Sequence, residues 1–328
     1  MKKFSLILIL LISGFISWSQ TFEVEQIEQL FRPRLRFDSK YIFDSKFNDT
    51  SSVFRQGEAN AVFTFPIKTR VDTDIKLDLS SLKLKDILRN SVRIKASQVM
   101  GVFRVNVKQT HIGFDSLPNK NIVNVTGGIL GVRLTRKYRI MFYSANASFA
   151  EQDITANAPG ARASALLGQL HLRGLKKNFF YGVAATYSDG LFLPAAFFGG
   201  SQPIGRKFIF NYTLPVQLNL QYRDDRRTLI TLGVTADGYR TGINYKTKRV
   251  NLNYTSASAY LNLRYKFTNT LVARVEGGYI FYQNLKYTPM DGYRTNFSIA
   301  PGPYVQAGFS VLFGQTLWEK IANEIFKN

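Results

Sequence analysis

The sequence predicts an all-β protein: a transmembrane antiparallel up-and-down β-barrel with a short amphipathic helix at its C-terminus. Three observations carry that reading. Beyond about residue 30, apolar and polar residues alternate with a period of two in segment after segment. The longest such stretch, Lys207–Arg223, outruns the usual globular strand of about 5 or 6 residues. Aromatics are abundant, with 27 Phe, 17 Tyr and 2 Trp making 14% of 328 residues. That content fits aromatic-rich strands better than a helical enzyme.

The N-terminus, residues 1–19, reads as a secretory signal. Lys2 and Lys3 form its positive start, Phe4 to Ile16 its apolar stretch, and Ser17 and Ser19 the small residues before a cleavage site. An uncleaved anchor is the alternative, but the run is short of the roughly 20 residues a spanning helix needs. Cleavage removes two lysines from a formal net charge of +21. Residues 20–32 then form a periplasmic N-terminal segment, 33–313 the barrel and 314–328 a periplasmic helix.

Within Lys207–Arg223 the even positions Phe208, Phe210, Tyr212, Leu214, Val216, Leu218, Leu220 and Tyr222 are apolar. The odd positions include Asn211, Thr213, Gln217, Asn219 and Gln221. In a membrane barrel the apolar face meets lipid and aromatics sit at the two interfaces. The same alternation marks 33–43, 57–66, 92–108, 122–134, 138–150, 163–174, 178–188, 228–240, 250–267, 271–283 and 303–313, for a count of about twelve strands. Pro215 costs its strand one ladder bond, which a bend or bulge tolerates. Short polar links (135–137, 175–177, 224–227, 268–270) alternate with longer ones (109–121, 151–162, 189–206, 241–249, 284–302), as short periplasmic turns and longer outer loops do.

Two places break the pattern. The link 67–91 is too long for a periplasmic turn; with Leu77–Asn90 as helix or extra strand, the count becomes about fourteen. In 250–267 the apolar parity changes, from Val250, Leu252 and Tyr254 to Leu261, Leu263, Tyr265 and Phe267. A one-residue slip reverses every side chain, so a bulge is expected near Thr255–Ser258. After Gly314, Leu317, Ile321 and Ile325 recur at helical spacing, giving a short amphipathic helix that braces the rim or docks a partner.

The whole resembles outer-membrane β-barrel proteins of unknown function found in some Gram-negative lineages. The residues that carry the likeness are the Ser19–Gln20 end of the signal, the stretch Phe208–Tyr222 with its Leu-Pro-Val-Gln centre, and Ala236–Tyr239. The resemblance implies the outer membrane and the barrel; it brings no catalytic residue and no substrate. The extended C-terminal tail departs from it.

Chemistry is scarce. With no Cys and only 2 His, thiol chemistry, disulfides and a three-histidine metal centre are excluded. His171 is read onto the polar face with Gln169 and Arg173, where a hydrogen-bond network is the ordinary role and a lipid-acting enzyme the sharper one. Gly127, Gly128 and Gly131 lack the strand–loop–helix unit of a phosphate loop. Asp72, Asp74 and Asp78 lack the glycine and closing glutamate of a calcium loop. No cofactor is expected, and no enzyme.

The basic excess, 43 Lys+Arg against 22 Asp+Glu, is the one signal pointing to a ligand. The lumen-lining candidates are Arg104, Lys108, Arg173, Gln217, Asn219, Gln221, Arg264, Arg274 and Glu276, with Lys207, Arg223 and Lys266 also read as inward and Glu276 as paired with a base. A narrow passage lined with one sign of charge enriches counter-ions. The expected function is a passive pore for small, anionic solutes. The alternative is a structural or partner-binding barrel with a filled lumen. Expected partners are outer-membrane lipids and lipopolysaccharide, the barrel-assembly machinery and a small anionic solute. Nucleic acid is not among them, because the charges form no contiguous stripe.

Overall fold

The computed structural model describes residues 33–75, 92–115, 118–135, 139–152, 161–173, 177–188, 191–223, 227–245, 248–289 and 295–314. The predicted signal, residues 20–32, the helix or extra strand expected over 77–90 and the helix expected over 315–326 lie outside them. The strands are β1 (Arg34–Lys46), β2 (Val53–Ile75), β3 (Val92–Ile112), β4 (Asn119–Thr135) and β5 (Arg139–Gln152). Then come β6 (Ala161–Leu172), β7 (Asn178–Ser188), β8 (Leu191–Ile204), β9 (Phe208–Leu214) and β10 (Gln217–Arg223). The last are β11 (Thr228–Tyr245), β12 (Lys248–Lys266), β13 (Leu271–Pro289), β14 (Thr295–Ile299) and β15 (Gly302–Leu312).

Neighbours in sequence pair antiparallel, and β1 pairs with β15 to close the sheet into a barrel. β15 lies along Leu271–Ile280 of β13 and β14 along Gln283–Tyr287 of the same strand. The two are therefore one stave broken at Ala300 and Pro301, and the barrel has 14 staves. The lower end is taken here as the one holding the start of β1 and the end of β15.

The alternative count of about fourteen, rather than the first count of about twelve, is the one found, but the extra staves are not where the long link suggested. Lys207–Arg223 is not one strand but the hairpin β9–β10. Val216 N–H bonds to Thr213 C=O at 2.8 Å around a cis Leu214–Pro215 peptide. Gln217 pairs with Thr213 and Tyr222 with Phe208, so partners share parity and the alternation runs unbroken through the turn. The second missed strand, β8, hides in the supposed loop 189–206. It faces inward with Leu193, Ala195 and Phe197 and outward with Phe192, Ala196 and Phe198, so it has no alternation to detect. The 67–91 link is partly strand, since β2 continues to Ile75 with a bulge at Ile67.

The bulge expected in β12 belongs to β13. Pairing steps from Ala257–Tyr282 to Ser258–Ile280, leaving Phe281 as the extra residue, and Phe281 and Tyr282 are both exposed. β12 keeps its even side chains inward throughout: Leu252, Tyr254, Ser256, Ser258, Tyr260 and Asn262 are all buried.

The staves differ in height. β2, β3 and β11–β13 have 18 to 23 residues, whereas β9 and β10 have 7 each. β10 leaves β11 at the Gln217–Thr235 pair. Above that level β11 turns across the opening and meets β5 through a parallel bridge between Gly242 and Glu151. Phe47 pairs with Ile299, joining β1 to β14. The upper ends of β1–β5 and β11–β14 thus close a second, narrower ring of nine staves, the crown, above the tops of β6–β10.

A ring of about eight strands is only wide enough for side chains to fill, and the crown is filled. Ile42, Phe47, Phe54, Ile112, Ile122, Ile243, Val250, Leu252, Tyr254, Leu285 and Ile299 form its core. Phe54 stacks on Tyr254 from the opposite wall, with ring centroids 5.3 Å apart and planes at 12°. A second apolar cluster lies in the lower half against β3–β8, with Met100, Val132, Ile140, Phe142, Leu170, Phe180 and Phe197. Here Phe142 sits over Gly168 and Phe197 over Gly182, where any Cβ would collide with the ring. Outside, apolar side chains such as Leu167, Val183, Leu232, Leu261 and Val275 are exposed between two aromatic rings. Phe65, Phe208 and Phe267 belong to the lower ring; Tyr41, Tyr187, Phe192 and Tyr279 belong to the upper. That is the outer band of a membrane barrel.

Candidate functional site

The crown core fills the top of the tall side and the second cluster fills the bottom of the opposite side. What is left between them is a polar cavity of about 320 Å³ that crosses the interior diagonally. Its lower end is lined by Arg34 and Arg36 on β1 and Arg274 on β13. Its upper end lies under the tops of the short staves, at Arg162, Ser188, Leu193 and Gln217, beside Asp237 and Arg240 of β11.

Strand periodicity positions these groups. On β1 the even residues Arg34, Arg36, Asp38 and Lys40 face inward, while Leu35, Phe37 and Tyr41 face out. Glu58 and Asn60 come from β2 and Arg104, Asn106 and Lys108 from β3 in the same way. The lining holds eight basic side chains and four acidic ones. Every acid is held. Asp38 accepts from Arg36 Nε at 2.6 Å and from Arg274 Nη2 at 2.9 Å. Glu58 pairs with Lys108 at 2.5 Å and accepts from Asn106. Asp237 accepts from Gly238 N–H at 2.7 Å and lies 3.6 Å from Lys40. Glu276 accepts from Asn262 Nδ2 at 2.9 Å and from the Tyr304 hydroxyl at 2.8 Å. Lys40 sits over the Tyr304 ring and Lys108 over the Tyr239 ring, 4.6 and 4.9 Å from the centroids.

Of the residues read from the sequence as lumen-lining, Arg104, Lys108, Gln217, Arg274 and Glu276 line this cavity. Asn219 and Gln221 lie on the inward face of β10; Asn219 accepts from Asn211 of β9 at 2.9 Å. Arg264 lines a small lower recess with Arg34 and Arg274. Arg173 does not line the lumen: it is exposed in the turn after β6, its N–H bonded to Lys177 C=O. The face of β6 was misread, because Leu166 and Leu170 point in and the polar Gln169 and His171 point out. His171 stacks on Tyr181, 5.6 Å between centroids, in the lower aromatic ring. Lys207 and Arg223 are likewise exposed at the lower end, and Lys207 lies over Tyr222. Arg274 finds its acid in Asp38 across the barrel closure rather than in Glu276. The charged face of β1, with Arg162, Asp237 and Arg240, was missed. The Arg-x-Arg-x-Asp-x-Lys alternation of 34–40 was the available signal.

The sequence matches the family described as domain of unknown function (DUF6268) over residues 24–312. The chain belongs to that family. A search of the curated proteins finds no match. Among solved structures, the COG4313 outer membrane channel from Pseudomonas putida F1 is similar over 89% of this chain and 100% of that one, with 10% identity and a TM-score of 0.45. The translocator domain of autotransporter NalP from Neisseria meningitidis is similar over 86% and 88%, with 8% identity and a TM-score of 0.32. The toluene transporter TodX of P. putida is similar over 87% and 91%, with 9% identity and a TM-score of 0.30. These are likenesses of architecture; the barrel itself rests on the strand pairing described above.

In this DUF6268 barrel the lumen therefore carries a fixed surplus of positive charge between low-dielectric walls. Such a surplus raises the local concentration of anions and lowers that of cations. Among the described residues, no group of three or more metal-binding side chains converges.

Proposed function

We propose that this protein is an outer-membrane barrel acting as a passive pore for small solutes, with a preference for anions. The observation that carries the reading is the diagonal polar cavity, lined by eight bases and four acids between two apolar clusters. The even stave number and the outer apolar band support insertion with the lower end toward the periplasm. In that setting the outer face meets membrane lipids and lipopolysaccharide, the barrel-assembly machinery inserts the chain, and the solute is a small anion. The reading includes no catalytic step, cofactor or nucleic acid.

The full chain in a planar bilayer under a salt gradient tests it. The expected result is a conductance whose reversal potential reports anion preference, weakened by Arg104→Glu. Absent conductance, or cation preference in the unaltered protein, overturns it. The two apolar clusters favour a second reading, a structural barrel with a filled lumen; a correctly folded barrel that carries no current would select that one.

A further inference from the structure

Where does a solute pass between this cavity and the outside? The crown offers no room. Its ring of nine staves is packed with buried side chains, including Phe54, Ile112, Leu252 and Leu285, each at most 1% exposed. Inside, Tyr239 of β11 donates across the ring to Gln56 of β2 at 2.7 Å, and Tyr254 donates to Gln283 of the neighbouring stave at 3.0 Å. A tightly packed core has few voids as large as a water molecule.

The step from fourteen staves to nine leaves a shoulder. β6–β10 end there, and above Gln217–Thr235 the edge of β11 has no β10 beside it. The cavity reaches this shoulder, where Arg162, Leu193, Val216, Gln217 and Arg240 line it. Exposure of the three acids paired across it follows the same direction. The Asp38 side chain is 5% exposed, Glu58 19% and Asp237, at the shoulder, 43%. On the outer surface Tyr187 and Phe192 of the upper aromatic ring stand next to the ends of β7 and β8, which sets the shoulder at the outer membrane interface.

We propose that the outer opening of the polar passage is this shoulder above β6–β10, and that small anions pass between Arg162 and Arg240 there rather than through the crown. The inference rests on the pore reading above and adds the route. Charge and shape agree on it. Arg162, Arg240 and Lys40 line the upper end of the passage together with Asp237, so the positive surplus extends to the mouth and draws anions in. The crown is then a fixed cap, and its folding does not gate the passage.

The chain has no cysteine, so single introduced thiols report alone. Leu193→Cys and Val216→Cys probe the shoulder; Ile243→Cys and Leu252→Cys probe the crown. None of the four side chains takes part in the polar contacts described above. Each full-length variant, checked for barrel folding by heat-modifiable gel mobility, is exposed from the outer side to a membrane-impermeant sulfonate thiol reagent. The expected result is reaction at 193 and 216 with loss of most of the conductance, and protection at 243 and 252. Reaction and block in the crown with a silent shoulder would overturn the route, as would shoulder labelling that leaves the current unchanged. If the unmodified protein carries no current, the pore reading falls. The labelling then decides the opening by itself: a reactive shoulder and protected crown keep it, and an unreactive shoulder removes it.

Discussion

The crown and the membrane section are continuous along the same strands, yet their apolar residues lie on opposite faces. β12 shows both in one element. In the crown its inward residues Val250, Leu252 and Tyr254 are apolar, and Asn251 and Asn253 face out. Lower down Asn262 faces in, buried, while Leu261 and Leu263 face lipid. The side-chain direction never changes; the solvent outside does. Above the membrane the outer face meets water and the strand behaves as in a soluble β-protein. Within it the outer face meets hydrocarbon, and the polar side chains are left to the lumen. The two regions should therefore respond differently to the same kind of substitution.

The largest effect is expected where the crown buries charge. Asp115, in the turn after β3, folds back to meet Lys120 of β4 at 2.9 Å, and neither side chain has any exposure. Removing one partner of such a pair costs about 3–5 kcal/mol. Asp115→Ala should lower the urea midpoint of crown unfolding accordingly while the membrane section holds. A midpoint unchanged from the parent would mean that this pair is solvated and the crown is not a closed core.

A smaller but sharper contrast lies within β12. Leu252 is 0% exposed in the crown, and Leu252→Ala should cost about 2–5 kcal/mol through lost contacts and a residual cavity. Leu261 is 55% exposed to the surroundings of the barrel, so Leu261→Ala opens no enclosed cavity and should cost less. Denaturation of the two variants in the same detergent makes the comparison. Equal losses would contradict the inversion between the two regions.

That inversion also explains what could be read in the sequence. The barrel was legible because most staves alternate cleanly, as β7 and β15 do. The bulge was misplaced because alternation reports polarity, and β12 changes environment without changing register. The hairpin β9–β10 was invisible to parity, since Thr213 pairs with Gln217 and residues of equal parity share a face on both strands. β8 was invisible for the opposite reason: packed against Phe142 and Phe180 inside and lipid outside, it is apolar on both faces. Part of the site was legible as well. Arg104, Lys108, Arg274 and Glu276 sit on alternating strands, where polar positions between apolar ones face the lumen. His171 and Arg173 failed because near the lower rim of β6 the inner face is apolar and the outer face polar. No alternation rule separates a lumen face from an interfacial one without the height of each residue in the membrane. The nine-stave closure was out of reach, because it depends on two isolated long-range bridges, Gly242 with Glu151 and Phe47 with Ile299, that no local pattern announces.

The smallest expected change in stability tests the shoulder against the crown with the same chemistry. Lys40 and Asp237 are 3.6 Å apart, and the Asp237 side chain is 43% exposed. Lys40 is 16% exposed, but with its partner this open to water the pair contributes only about 1 kcal/mol. Asp237→Asn keeps the shape and an oxygen able to accept from Gly238 N–H, and should leave the unfolding midpoint nearly where it was. Its effect belongs instead to conduction. The substitution removes one of four lumen acids at the proposed opening, so the reversal potential should move further toward that of anions. A midpoint lowered as far as in Asp115→Ala would show that the shoulder is packed like the crown. The polar cavity would then end against a wall there, and Arg162 and Arg240 would be bracing a closed seam.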